Sequence, residues 1–321
     1  MSVLVTGAAG NIGYITAIVC AEAGLEVVAH DRVRLEHSPE DSLARKAAHL
    51  VNWVQGDLND WAHLLEIANK YTVQGVIHSA AFSNPVLCHP VPISATKANV
   101  LTTQYLLELA HQLSWRRVVY VSTGAVYQSS DPRSYIKETD PPSPNNAYGT
   151  TKYMGELLVN MYNKTYGVSA CTVRASWVWG PPAIDRHFDV ARVPISYFLL
   201  KALQGENVYE ESGGDFMANF TYVKDLANAL LLAYQKDSLP NNLYNVSNGE
   251  HYTVAELADV VTRVVPRSQV EVGRGMKPWT DYHVPRGSFD ITRARNELGF
   301  QVRFPLEKAV EDYSEWLRNM I

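Results

Sequence analysis

Short apolar runs alternate with stretches of helical period along the first half of the chain. Residues 3–5 read as a strand, 12–23 as a helix and 26–30 as a second strand. Strand-like runs recur at 51–55, 75–78, 118–122 and 170–174, and the segments between them carry helical periodicity. Strands alternating with helices imply a parallel sheet covered on both faces. A continuous apolar run such as Val118-Val119-Tyr120-Val121 fits a strand buried on both sides. The polar, proline-rich stretch 129–146 reads as a long surface loop, and such loops are often functional. After Arg174 the pattern changes, because Pro181 and Pro182 open an irregular segment followed by helical and loop pieces. The reading is therefore a sheet domain over 1–176, with 222–262 returning to it. Residues 177–221 and 263–321 form a smaller α/β lobe that completes a cleft.

Composition narrows the function. A hydrophobic content of 46% suits a chain with a sizeable core. The net charge of −5 gives no basic footprint for nucleic acid or an anionic membrane. Apolar runs such as 229–233 are too short to span a bilayer. The three cysteines (Cys20, Cys88, Cys171) are far apart with no CxxC, which predicts reduced thiols and a cytoplasmic setting. The first residues enter a strand at once, with no basic and apolar leader, so no signal peptide is expected. The ten histidines are scattered without metal-ligand spacing, so no metal is expected.

Thr6-Gly7-Ala8-Ala9-Gly10-Asn11-Ile12-Gly13 follows a strand and opens a helix. Glycines at 7, 10 and 13 let a pyrophosphate approach the backbone, and the helix N-terminus offers free N–H groups and a positive dipole end. Asp31 ends the second strand, where a carboxylate can take the adenosine ribose hydroxyls. The combination predicts a dinucleotide site on a Rossmann-type doubly wound sheet. Asp31 favours NAD over NADP, although Arg32 and Arg34 follow at once and could meet a phosphate. Asp57 follows the third strand and suits either an adenine contact or a helix N-cap.

Tyr148 and Lys152 stand four apart, which on a helix puts both on one face. A tyrosine is a poor base at neutral pH, and a neighbouring ammonium favours its phenolate. Thr123 ends a buried strand, where its hydroxyl can hold a substrate oxygen while a proton moves. Isolated YxxxK spacings are common on exposed helices, and it is the company of Thr123 that gives this one meaning. His78 reads as a structural histidine.

These residues carry a resemblance. With GDL (56–58), HSAA (78–81), Asn99, VSTGAVY (121–127), YGTTK (148–152), VRASWVWGP (173–181), YVKD (222–225), YNVSNG (244–249) and DITRARNELGF (290–300), the chain resembles the extended short-chain dehydrogenases/reductases, the group of sugar-nucleotide epimerases and dehydratases. The resemblance implies NAD as cofactor and catalytic roles for Thr123, Tyr148 and Lys152. It places Ala80 and Ala81 beside the cofactor. It also implies a homodimer built on the helices carrying Asn99 and Tyr148. The expected cofactor set is Gly7, Gly10, Asn11, Ile12, Gly13, Asp31, Arg32, Asp57, Leu58, Ala80, Ala81 and Asn99, with Tyr148 and Lys152. For Asn99 a purely structural role weighs slightly more.

Departures from the family pattern bear on the reaction. Dehydratase-like relatives carry an Asp-Glu pair after the catalytic hydroxyl, and decarboxylase-like ones a glutamate at the second of those positions. Here they are Gly124 and Ala125, which transfer no proton. Sugar-nucleotide relatives commonly have asparagine where this chain has Trp177, and a diphosphate-binding arginine where it has Ala218. A buried diphosphate needs charge-assisted donors. The expectation is therefore a dehydrogenase or reductase of a small sugar, polyol or sugar acid. A nucleotide-sugar 4-epimerase and a non-catalytic NAD(H)-sensing module are the alternatives. Ser83, Thr123, Gly124, Trp177, Arg186, His187 and Arg192 are the expected substrate contacts. Arg274, Lys277 and Arg286 read more readily as surface charges.

Overall fold

The computed structural model describes residues 2–33, 45–127, 130–182, 193–277, 279 and 285–319. The chain opens with β1 (Ser2–Thr6), α1 (Asn11–Glu22), β2 (Glu26–Asp31), α2 (Arg45–Ala48), β3 (Val51–Gln55), α3 (Trp61–Lys70) and β4 (Val73–His78). Two short helices, α4 (Pro85–Cys88) and α5 (Pro92–Thr96), lead through a π-turn into α6 (Thr102–Gln112) and β5 (Arg117–Thr123). Then come β6 (Tyr135–Ile136), α7 (Ala147–Tyr166) and β7 (Ala170–Ala175).

Six of these strands and a later one, β12, form one sheet in the order β3-β2-β1-β4-β5-β7-β12. Every pairing in it is parallel. Alternation along each strand feeds two cores. Val3 and Val5 of β1 and Val119 and Val121 of β5 face one way, with α1 and α9. Leu4, Val118 and Tyr120 face the other, with Leu106 and Leu107 of α6 and Val159 of α7. The order reverses between β1 and β4, and open parallel sheets bind ligands at the carboxyl edge beside such a reversal.

The glycine-rich turn is packed too tightly for side chains. Gly7 has φ +72°, and a Cβ there would lie 2.8 Å from the Ala80 backbone. A Cβ on Gly13 would lie 2.2 Å from the Gly7 carbonyl oxygen. These glycines let α1 start directly against β1 and β4.

The second half adds β8 (Val178–Trp179), α8 (Pro194–Leu203), β9 (Val208–Glu210), β10 (Met217–Ala218) and β11 (Thr221–Tyr222). Next, α9 (Val223–Gln235) and β12 (Leu243–Val246) return to the sheet. The chain ends with β13 (Tyr252–Thr253), α10 (Val254–Val264), β14 (Val270–Val272), β15 (Ser288–Phe289) and α11 (Leu306–Arg318). A separate apolar core joins Phe198 of α8, Leu257 and Val261 of α10, Phe216, Phe220 and Tyr313 of α11. The assignment of all of 222–262 to the sheet is corrected here. Helix α10 turns its apolar face to α8, β14 and α11. The stretch 129–146 is also more than a surface loop, since β6 pairs in parallel with β15.

Helix α7 shows why this sequence makes a long, straight element. Asn146 caps it by accepting from the Gly149 amide at 2.9 Å, and Gly167 ends it at φ +69°. Its buried positions, Thr151, Lys152, Gly155, Glu156, Val159 and Tyr162, recur at three and four residues. Two of them are charged. Glu156 accepts from the guanidinium of Arg174 on β7 through both oxygens, the longer contact being 2.9 Å, and from the Ser122 hydroxyl. Arg174 also donates to the Tyr127 hydroxyl, which donates to Asn245 Oδ1 at 3.1 Å. Removing one partner of a buried ion pair strands the other charge. Glu156→Ala should therefore lower the unfolding free energy by about 3–5 kcal/mol in urea titration. A loss below about 1 kcal/mol would show the pair to be dispensable for stability.

Candidate active site

Two adjoining cavities open at the carboxyl edge of the sheet. The first is lined by the glycine-rich turn (Gly7, Gly10, Asn11, Ile12, Gly13), Asp31, Arg32, Asp57, Leu58, Ala80, Ala81 and Ser83. Asp31 points its carboxylate back over the turn, accepting from the Ala9 amide at 3.0 Å and the Val33 amide at 3.1 Å. Arg32 is exposed at the rim. Asp57 accepts from the Asn59 amide at 2.9 Å, and that bond holds its carboxyl below the usual range. The N-cap of α3 is Asp60, which bonds the His63 amide, so Asp57 is not the cap.

This cavity suits a dinucleotide. The N-cap of α1 is Gly10, with no side chain to satisfy the first-turn amides. Asn11 donates to the Gly180 carbonyl at 2.6 Å across the cleft, while its buried Oδ1 has no partner among the described residues. A buried acceptor left open at the junction of both cavities is suited to a ligand hydroxyl or amide.

Asn99 is corrected. It is 1% exposed and does not line either cavity. Its amide clasps the Phe82 backbone, accepting from the N–H at 2.6 Å and donating to the carbonyl at 3.1 Å, and it donates to Thr151 at 2.9 Å. Its role is to shape the strand exit beside Ala80 and Ala81. His78 is held between Thr6 at 2.8 Å and Thr103 at 3.1 Å, as a structural histidine should be.

The second cavity gathers Thr123, Tyr148 and Lys152, with Ser83, Trp177 and Trp179. Strand β5 delivers Thr123 at its tip, and the first turns of α7 deliver Tyr148 and Lys152 on one face. Burial pushes the Tyr148 phenol up to about 12, opposed by its hydrogen bond with Thr123. Burial pushes Lys152 down to about 7, opposed by the charge of Glu156 and by Cys88. The sequence led us to expect a tyrosine acidified by its lysine; desolvation instead moves the two groups toward their neutral forms.

Gly124 is also corrected, because it packs beneath the cavity instead of lining it. A Cβ there would meet Ser176 Oγ at 2.9 Å and Phe289 at 3.1 Å. Trp177 adopts φ +44°, a conformation that side chains rarely take, and its ring packs 5.6 Å from Phe220 and 6.2 Å from Phe216. Ala218 is buried in β10 and does not line this cavity. Arg186, His187 and Arg192 lie outside the described residues. Arg274 and Lys277 are exposed.

The residue that sequence reasoning undervalued is Arg286. It lines the second cavity together with Thr123, Tyr148 and Lys152. Its Nε donates to the Tyr127 carbonyl at 3.1 Å, and among the described residues no carboxylate pairs with it. Burial lowers its pKa to about 10, which leaves it cationic at neutral pH. The one sequence signal was the adjacent Gly287, where a Cβ would lie 2.1 Å from the Ser134 carbonyl oxygen. Asn84, Asn146, Ser176 and Ser196 also line this cavity and carried no signal of their own.

Among the described residues no group of histidines, cysteines or carboxylates could hold a metal, and no helix is long and apolar enough to cross a membrane. The three cysteines are free and buried. The model of the NAD dependent epimerase/dehydratase family matches residues 3–247. The UDP-glucose 4-epimerase of Halalkalibacterium halodurans is 28% identical over 98% of this chain and 95% of its own length. The crystal structure of a UDP-glucose 4-epimerase from Thermotoga maritima with UDP-glucose superposes with a TM-score of 0.85, at 25% identity, covering 100% of this chain and 99% of that one. MoeE5 in complex with UDP-glucose and NAD gives 0.80 at 26% identity, covering 100% and 99%. With this seven-stranded parallel sheet, its glycine-rich turn and its match across residues 3–247, the chain is an NAD-dependent enzyme of the extended short-chain dehydrogenase/reductase type and belongs to the NAD dependent epimerase/dehydratase family.

Proposed function

We propose that this protein is a sugar-nucleotide 4-epimerase, with Arg286 as the observation that carries the reading. The expectation of a dehydrogenase rested on missing donors for a diphosphate, at Trp177 and Ala218. Arg286 offers such a donor from another part of the chain, half-buried and lining the same cavity as Thr123, Tyr148 and Lys152. Relatives named as UDP-glucose 4-epimerases support the same choice over a dehydrogenase. Dehydration is disfavoured by packing, since an acid at position 124 would collide with Ser176 and Phe289.

Gly7, Gly10, Gly13 and the amides at the start of α1 would hold the pyrophosphate of NAD, with Asp31 at the adenosine ribose. NAD, when bound, supplies the acceptor that takes a hydride from the sugar carbon and returns it. Tyr148 takes the proton of the reacting hydroxyl as its C–H bond breaks, which leaves a ketone at that carbon. Thr123 donates to the same oxygen and keeps it in line with Tyr148. Lys152 holds the nicotinamide ribose and, as an ammonium, stabilises the Tyr148 phenolate. The ketone turns over within the cavity, and Tyr148 gives its proton back to the oxygen of the inverted carbon. Atoms and electrons therefore balance with no net redox change.

A second reading keeps the dehydrogenase of a small sugar or sugar acid. It is favoured by Trp177, whose ring occupies the cavity wall where an amide would otherwise sit. The two readings separate with UDP-glucose as the probe. An epimerase converts it to its 4-epimer with no accumulation of reduced cofactor, and Tyr148→Phe lowers the rate by about 10²–10⁴-fold. Steady accumulation of reduced cofactor with a free sugar, and none of the epimer, would make the protein a dehydrogenase.

We also propose a homodimer through α6 and α7, because Met154 and Leu157 leave an apolar strip on α7 that is 40% and 50% exposed. Light scattering should give twice the 35.8 kDa chain mass, and Leu157→Asp should shift the protein toward monomer. A monomer at micromolar concentration would refute the pairing.

A further inference from the structure

Lys152 rests on an aromatic ring. Its Nζ lies 4.1 Å from the centroid of Tyr120 on β5, and the two residues are 2% and 0% exposed. The ring itself has little freedom. Its hydroxyl donates to the Lys152 carbonyl at 3.2 Å. The ring centroid lies 5.8 Å from that of His78, which Thr6 and Thr103 pin in turn. Gly155, one turn beyond Lys152, permits this approach, because a Cβ there would lie 2.2 Å from the Tyr120 hydroxyl. The helix is thus cut away at the one point where a phenol has to pass beneath it.

We propose that Tyr120 is a positioning residue whose ring face holds the Lys152 side chain as an ammonium, in the place where Tyr148 and the cofactor ribose require it. This rests on the roles given to Tyr148 and Lys152 above. An ammonium taken out of water loses its hydration, and the negative face of an aromatic ring replaces part of it. The other groups that face Lys152 are few. Glu156 lies on its own helix, as does Tyr148, which shares its cavity; Cys88 comes from α4 and His78 from β4. Glu156 favours the charged lysine, but its two oxygens are already engaged by Arg174 from β7 and by Ser122. Cys88 is a neutral thiol bonded to the Phe82 carbonyl, and burial raises its pKa to about 11. His78 is neutral, driven down to about 3 by burial and by Lys152 itself. The ring of Tyr120 is therefore a support in direct reach of the positive charge, and among the described residues no other cation lies over it.

The sign of the effect follows. Lys152 is depressed by burial, so its ammonium is lost as pH rises. Without the ring that loss comes at lower pH. The measurement is NAD affinity, read from tryptophan fluorescence between about pH 6 and pH 10. It uses the full chain as wild type, Tyr120→Phe, Tyr120→Leu and Tyr120→Met, with thermal unfolding to verify that each is folded. The alkaline midpoint for NAD binding should fall by on the order of one pH unit in the Leu and Met proteins. In Tyr120→Phe, which keeps the ring face, it should stay with wild type. A structural role alone would weaken binding equally at every pH and leave the midpoint unmoved, which would overturn the proposal. A midpoint that moves as far in Phe as in Leu would also overturn it, because the hydroxyl would then be the active part. The readout is binding and not turnover, so a chain that proves to be a dehydrogenase would fail the UDP-glucose test and leave this one standing.

Discussion

A lysine buried under a parallel sheet needs its charge compensated, and the architecture around α7 is arranged to do so. Lys152 has given up nearly all contact with water. Burial pushes it toward its neutral form, and the opposing influences come from the carboxylate of Glu156, from Cys88 and from the ring of Tyr120. Glu156 would itself be an isolated buried charge without Arg174, and Arg174 requires Tyr127, which is anchored on Asn245 of β12. Tyr148 and Lys152 thus stand at the cavity end of a polar chain that crosses three strands of the sheet. Partly satisfied networks of this kind are costly, and fully satisfied ones hold a single geometry.

The cleft follows from the same constraint. Because β5 and α7 must be close for Tyr120 to reach Lys152, Thr123 and Tyr148 arrive together at the carboxyl edge. The second lobe then supplies the wall that faces them. Asn11 ties the glycine-rich turn to Gly180, where the chain leaves the sheet for that lobe. Trp177 and Arg286 come from either end of the lobe's sequence and line the same cavity. The result is a site with a cationic donor and an aromatic wall around Thr123, Tyr148 and Lys152, for which we propose a sugar linked to a diphosphate.

Much of this was legible in the sequence where the signal is local. The first six sheet strands and α1 fall within two residues of their expected ends, and for the strands inside the sheet burial on both faces leaves apolar runs. The gathering of the glycine-rich turn and Asp31 on one cavity, and of Thr123, Tyr148 and Lys152 on the next, was legible because it depends on strand ends and short spacings. Contacts over long separations were not. Arg286 looks like any other charge in a polar segment until its loop folds over Tyr127. For Asn99 the sequence left a structural role slightly ahead of a cofactor contact, and only its bonds to Phe82 decide for the former. The apolar stripe of α10 shows that a helix must be covered, and only tertiary packing decides that α8, β14 and α11 cover it. Gly155 had no evident purpose before Tyr120 was placed beneath it.

The central claim is that a hydride leaves and returns to the same carbon within one site. It is tested most directly with UDP-glucose carrying deuterium at C4, followed by mass spectrometry of the sugar, the cofactor and the solvent. The account predicts that the 4-epimer retains the deuterium, with none in solvent and none accumulating on free cofactor. Deuterium appearing in a released, reduced cofactor alongside an oxidised sugar would contradict it.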